Sequence, residues 1–150
     1  MFCDVGLNNT NVPVGLKMYE NQQTDRVVNY IKTEYGVEPE FLWPEKYPSY
    51  CVFRHGDNRK WFALVATIDA KSLGIEEYKL GNGGEGHDSV EIINLKFDKN
   101  QTYDFAKTSD YIFPAYHMNK NNWITVVLDG GLSDEMVFEL IRKSYLLTDK

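Results

Sequence analysis

Two stretches concentrate side chains that could bind a ligand or move a proton. Tyr116-His117-Met118-Asn119-Lys120-Asn121-Asn122-Trp123 sets a titratable ring, amides, a cation and an indole around one turn. His117 and Asn119 are its ligand-contact candidates, because imidazole changes charge near neutral pH and an amide both donates and accepts. Arg54-His55-Gly56-Asp57-Asn58-Arg59-Lys60-Trp61, with Tyr47, Tyr50 and Phe53 nearby, interleaves cations with aromatics. That pattern suits nucleic acid, where cations neutralise phosphates and rings stack on bases. Both stretches also have a structural reading. Amides satisfy turn backbone, His117 and Trp123 pack across a hairpin, and the basic turn is simply solvated.

Other chemistries find little support. Gly81-Asn82-Gly83-Gly84-Glu85-Gly86 spells the dinucleotide fingerprint, but the strand-like Ser89-Val90-Glu91-Ile92-Ile93 follows it where a helix N-terminus is needed, so it reads as a surface loop. His55, His87, His117, Cys3 and Cys51 share no metal-ligand spacing, and no metal or cofactor is expected. His55 lies four residues beyond Cys51 on one strand, about 13 Å away by strand rise, so Cys51 reads as a buried structural thiol rather than a nucleophile. No positioned nucleophile and base emerge, and the chain is expected not to be an enzyme.

The formal net charge of -6 weighs against a broadly positive nucleic-acid surface, so any such contact must be local. The acid gathers between residues 20 and 45, in Glu20, Asp25, Glu34, Glu38, Glu40 and Glu45. The sign reverses between 46 and 60, with Lys46, Arg54, Arg59 and Lys60. No apolar run approaches the ~20 residues of a membrane span. The N-terminus lacks a secretory pattern, and the two cysteines suit reduced thiols. The expected location is the cytoplasm.

The elements that must position these residues follow from periodicity. Residues 1–18 show neither helical nor strand period and read as an irregular extension, with one domain over 19–150. Val27, Val28, Ile31 and Tyr35 fall on one helical face from about residue 20 to 35, and Gly36 offers a left-handed cap. Tyr50 to His55 and Lys60 to Asp69 should pair antiparallel around a turn at 56–59, and Ser89 to Phe97 supplies a third strand. Asp98 and Gln101 stand in a capping-box spacing for a short helix near 99–108. Pro114 to Asn119 and Trp123 to Asp129 read as a second hairpin around Lys120-Asn121-Asn122. Ser133 should cap a last helix with Val137, Leu140, Ile141 and Ser144 inward, and with Arg142 and Lys143 near its negative end. The predicted fold class is α+β, a two-layer sandwich with helices packed on one face of an antiparallel sheet, ordered α-β(3)-α-β(2)-α. Its expected core is Val27, Ile31, Phe62, Leu64, Ile93, Leu95, Val126, Leu128, Leu140 and Ile141.

Trp43-Pro44, Val52-Phe53-Arg54, Lys60-Trp61-Phe62-Ala63-Leu64, Asn94-Leu95-Lys96, Pro114 to Lys120, Trp123 to Leu128, and Leu140-Ile141 with Ser144-Tyr145 resemble the MmcQ/YjbR family over about residues 20–148. The resemblance implies a secretion-chaperone-like two-layer fold, in agreement with the order read from periodicity. It also implies the family's DNA-binding label, which rests on fold comparison, and it brings no catalytic residues. The long glycine-rich stretch, the N-terminal extension and Phe97-Asp98-Lys99 depart from the usual pattern.

The function ranked first is a small binding module making weak, local DNA contact. Arg54, Arg59 and Lys60 would meet phosphates, and Lys120 with Trp123 would add a cation and a stacking face. The alternative is a protein partner or a homodimer, received on the acidic first helix or on an exposed sheet face. Metal buffering by Asp25, Glu34 and Glu38 ranks lower.

Overall fold

Asn21 opens the first helix by accepting the Gln23 N–H on its side chain, and Gly36 closes it in the left-handed conformation at φ 65°. The computed structural model describes residues 19, 21–74 and 89–149, the Tyr103 side chain excepted. The expected N-terminal extension, the glycine-rich loop and His87 lie outside these residues. Helix α1 spans Gln22–Tyr35. The strands β1 (Cys51–Arg54) and β2 (Trp61–Asp69) follow, then a 3₁₀ turn at Ala70–Leu73 and β3 (Ser89–Lys96). Helix α2 (Thr102–Ala106), β4 (Ile112–Pro114), β5 (Trp123–Val127) and α3 (Asp134–Thr148) complete the order.

The five strands form one antiparallel sheet in the order β1-β2-β3-β5-β4. Alternation sends Cys51, Phe53, Ala63, Val65, Ile93, Leu95, Ile124 and Val126 to one face. There they pack with Val27 and Ile31 of α1 and Val137, Leu140 and Ile141 of α3. Phe105 and Ala106 bring α2 to the same layer. The fold is therefore the expected two-layer α+β arrangement, with helix first and last.

One predicted core residue changes sides. The register slips between Phe53 and Arg54, so Phe53 faces Ala63 whereas Arg54 faces Trp61. The extra residue, Phe62, enters the helix-side core, while Leu64, paired with Val52 and Asn94, points to the opposite face. That face is not open. Ala66, Ile68, Val90, Ile92 and Val127 are buried on it, with Tyr50, Leu73, Tyr111, Phe113 and Tyr116 packed against them. An exposed sheet face for a partner is thus absent over these strands.

Polar groups fix the layers against each other. Gln23, buried in α1, donates to the Leu132 carbonyl and Asp134, and accepts from the Gly130 N–H. Arg26 pairs with Asp134 at 2.6 Å, and Tyr30 stacks on Phe138 of α3 with centroids 3.9 Å apart. The β2–β3 ladder ends at Ala63 opposite Leu95. Just beyond, Ser144 Oγ donates to the Phe62 carbonyl at 2.6 Å and accepts from the Lys96 N–H at 2.9 Å, so α3 bridges the two central strands.

Three local expectations are corrected. Gln101 makes no side-chain cap; Asp98 instead accepts from the Asn100 N–H in a local turn. Arg142 and Lys143 do not sit at the negative end of α3, because the helix runs on to Thr148 and its last turn carries no base. Pro114 to Asn119 is not a strand: pairing stops at Pro114, whose ring denies the ladder a donor.

Candidate functional site

The segment after Pro114 is held by two buried side chains that are cross-strand partners. Asn94 on β3 faces Thr125 on β5. Asn94 Nδ2 donates to the Tyr116 carbonyl at 2.9 Å, Thr125 Oγ1 accepts from the Tyr116 N–H at 2.9 Å, and Thr125 donates to Asn94 Oδ1. Both main-chain groups of Tyr116 are therefore paired with the sheet rather than with a strand partner, and residues 115–122 fold as turns.

Within those turns the predicted candidates divide. Asn119 serves the backbone: its side chain accepts from the Asn121 N–H, and its carbonyl accepts from the Asn122 and Trp123 N–H groups. Lys120 donates its ammonium to the Ala115 carbonyl at 2.8 Å. His117 is exposed, its ring lies 3.9 Å from that of Tyr116, and its φ of 63° is left-handed. Arg59 shares that conformation, also at 63°, and these are the two non-glycine residues that do so among the described residues.

On the first hairpin, both arginines converge on one carboxylate. Arg54 Nε lies 3.2 Å from Glu40 Oε1 and Arg59 lies 3.3 Å from Glu40 Oε2. Glu40 reaches them because its backbone bridges to Val52 at the free edge of β1. Lys60 is exposed beside them.

Register then assembles a row that was not read from the sequence as one feature. Arg54 pairs with Trp61, and Lys96 pairs with Trp123. In the strand order β1-β2-β3-β5 all four lie at the same end of the sheet, turned to the face opposite the helices. Three strand spacings put the ends of the row about 14 Å apart. Cation and indole alternate along it. Lys96 Nζ lies 5.5 Å from the Trp123 ring centroid, Trp61 meets Trp43 edge-on at 6.0 Å, and Trp43 meets Tyr50 at 6.2 Å. Lys96 was the missed member. Its signal was its position as the last residue of a strand whose partner is Trp123.

Cys51 is buried and free, 3.2 Å from the Tyr19 hydroxyl, and burial pushes its thiol up to about 11. It is a structural thiol. Asp25, Glu34 and Glu38 do not form a metal cluster; the group of three potential ligands among the described residues is His55, Asp57 and Asp149.

The YjbR family profile matches residues 33–147. The chain belongs to the YjbR family. The Bacillus subtilis (strain 168) family relative YyaQ, an uncharacterised protein, is 33% identical over 122 residues, covering 81% of this chain and 94% of its own. A solved Pseudomonas syringae protein is 38% identical with a TM-score of 0.72, over 87% of this chain and 99% of that one. A Deinococcus radiodurans protein described by the DUF419 domain is 25% identical with a TM-score of 0.56, over 82% of this chain and 78% of that one. These YjbR relatives share the fold, and none carries a stated activity. No helix among the described residues is long and apolar enough to cross a membrane.

Proposed function

We propose that this YjbR protein is a non-enzymatic module that binds single-stranded nucleic acid weakly across the end of its sheet. The observation that carries the reading is the half-buried row Arg54, Trp61, Lys96, Trp123, flanked by Arg59 and Lys60. Indole faces accept bases without regard to sequence, and cations between them accept phosphates. A duplex keeps its bases stacked internally and offers phosphates alone, so single strands should be preferred. The overall charge of -6 and the engagement of both arginines by Glu40 favour weak binding.

All three tryptophans lie in or beside the row, so intrinsic fluorescence reports its occupancy. Titration with oligo(dT) at low salt should quench that fluorescence more strongly than titration with duplex DNA. Trp123→Ala should weaken binding by about 1–3 kcal/mol. Arg54→Ala/Arg59→Ala/Lys60→Ala should flatten the salt dependence by about one per lost phosphate contact. Absence of binding at low salt, or identical behaviour of the triple variant, removes the reading.

A second reading has its own support. Phe41, Leu42 and Trp43 are consecutive, apolar and exposed, at 39%, 38% and 36%. A protein partner or a second copy covering them would account for that exposure. Failure of the nucleic-acid titration together with a dimer in light scattering that Phe41→Ser/Leu42→Ser dissolves would put this reading first.

A further inference from the structure

His55 ends the first strand of the hairpin and is buried, with 1% of its side chain exposed. Its ring packs edge-on against Phe62 and lies 4.1 Å from the ring of Tyr145. Nε2 lies 2.7 Å from Thr148 Oγ1. The Thr148 hydroxyl has its own acceptor in the Ser144 carbonyl at 2.8 Å, so it receives the Nε2–H. In the neutral ring the lone pair is therefore on Nδ1. That nitrogen faces Asp149 Oδ1 at 3.8 Å, beyond hydrogen-bond reach. Asp57 completes a set in which three ligand atoms all lie within 4.8 Å of one another. A lone pair, two carboxylates and the base-free C-terminal turn of α3 thus converge.

We propose that His55 Nδ1 and one carboxylate oxygen each from Asp57 and Asp149 bind a divalent transition-metal cation of the zinc type, with water at the remaining positions. Metal–nitrogen and metal–oxygen bonds of about 2.0–2.2 Å need these donors closer together than they now stand. Asp57 and Asp149 are exposed and can close by side-chain rotation, while the buried imidazole stays fixed. Two carboxylates balance the double charge, and the imidazole selects transition ions over magnesium and calcium. Thr148 does what an outer-shell partner does, fixing the tautomer and the ring plane. The ion would fasten the β1–β2 turn to the end of α3, where Asn58 Nδ2 already donates to the Thr148 carbonyl at 3.0 Å. None of its ligands belongs to the tryptophan row, so the site stands or falls apart from nucleic-acid binding.

The test uses metal-free protein carrying Cys3→Ser, His87→Gln and His117→Gln, which leaves His55 as the single histidine of the three. Calorimetric titration with zinc chloride should show one site, and magnesium chloride none. Asp57→Asn and Asp149→Asn, both at exposed positions, should each weaken zinc at least tenfold without changing metal-free stability. Thr148→Val should weaken it by roughly 10–100-fold. In ¹⁵N spectra, stoichiometric zinc should shift His55 Nδ1 and leave Nε2 protonated. No zinc heat, unchanged affinity in the Asp57→Asn/Asp149→Asn double variant, or coordination through Nε2 would overturn the proposal.

Discussion

Replacing Ser144 by alanine removes a single oxygen and disconnects two backbone groups. Ser144 is fully buried on α3, donating to the Phe62 carbonyl and accepting from the Lys96 N–H. Alanine leaves both without that partner, where the ladder between β2 and β3 has already ended. An unsatisfied buried backbone group costs about 1–3 kcal/mol, and alanine returns about 0.5 kcal/mol of helix propensity. The net loss should be about 3 kcal/mol, a fall in Tm of roughly 6–12 °C for a chain of this size. Urea unfolding followed by circular dichroism should show a lower midpoint with an unchanged slope. A loss below about 0.5 kcal/mol would mean that water or a direct strand bond replaces the hydroxyl, and the bridging role would be refuted.

Glu40→Gln should steepen the salt dependence of oligo(dT) binding by up to about 0.9, because the carboxylate that competes with phosphate for Arg54 and Arg59 is gone; an unchanged slope would mean those arginines do not meet phosphate. Gly131→Ala should destabilise by about 1–3 kcal/mol, since a Cβ there would stand 2.3 Å from the Tyr111 ring, and thermal melts check this. Arg26 holds the Asp134 carboxyl below the ordinary carboxylate range, so the stability difference between wild type and Asp134→Asn should be fully present above about pH 4. It should shrink as pH falls through the lowered folded-state value, which denaturant titrations at several pH values measure. With Cys3→Ser in place, Cys51 should resist iodoacetamide at neutral pH in the native state and label at pH 7 only on unfolding.

Helix ends were readable because their signals are local. Gly36 and Ser133 each supply a cap whose chemistry depends on a few neighbouring residues. The strands were readable too, since alternation and β-branched residues mark them within a short window. The errors came where a distant group decided the local outcome. Pro114 to Asn119 has strand-like composition, but Asn94 and Thr125 claim the Tyr116 backbone from the sheet interior. Leu64 and Phe62 share a parity in the sequence, and only the slip opposite Phe53 separates their faces. Arg54 and Arg59 read as uncommitted cations until Glu40, in a segment with no periodicity, is seen between them. His55, Asp57 and Asp149 lack any ligand spacing because α3 has to return across the whole sheet before Asp149 reaches the turn.

The Asn94–Thr125–Tyr116 bracket also acts as a key for strand alignment. Strand periodicity means that sliding β5 one residue against β3 would carry Thr125 to the helix side and a valine or isoleucine into its place. Hydrophobic burial alone would penalise that slip only modestly, because β5 is apolar on both faces. The bracket penalises it sharply. The Asn94 amide and both main-chain groups of Tyr116 would lose their partners in a dry interior, at about 1–3 kcal/mol each. A misaligned sheet is therefore excluded by polar mismatch where greasy side chains could not discriminate, and Trp123 is delivered opposite Lys96 rather than one position away.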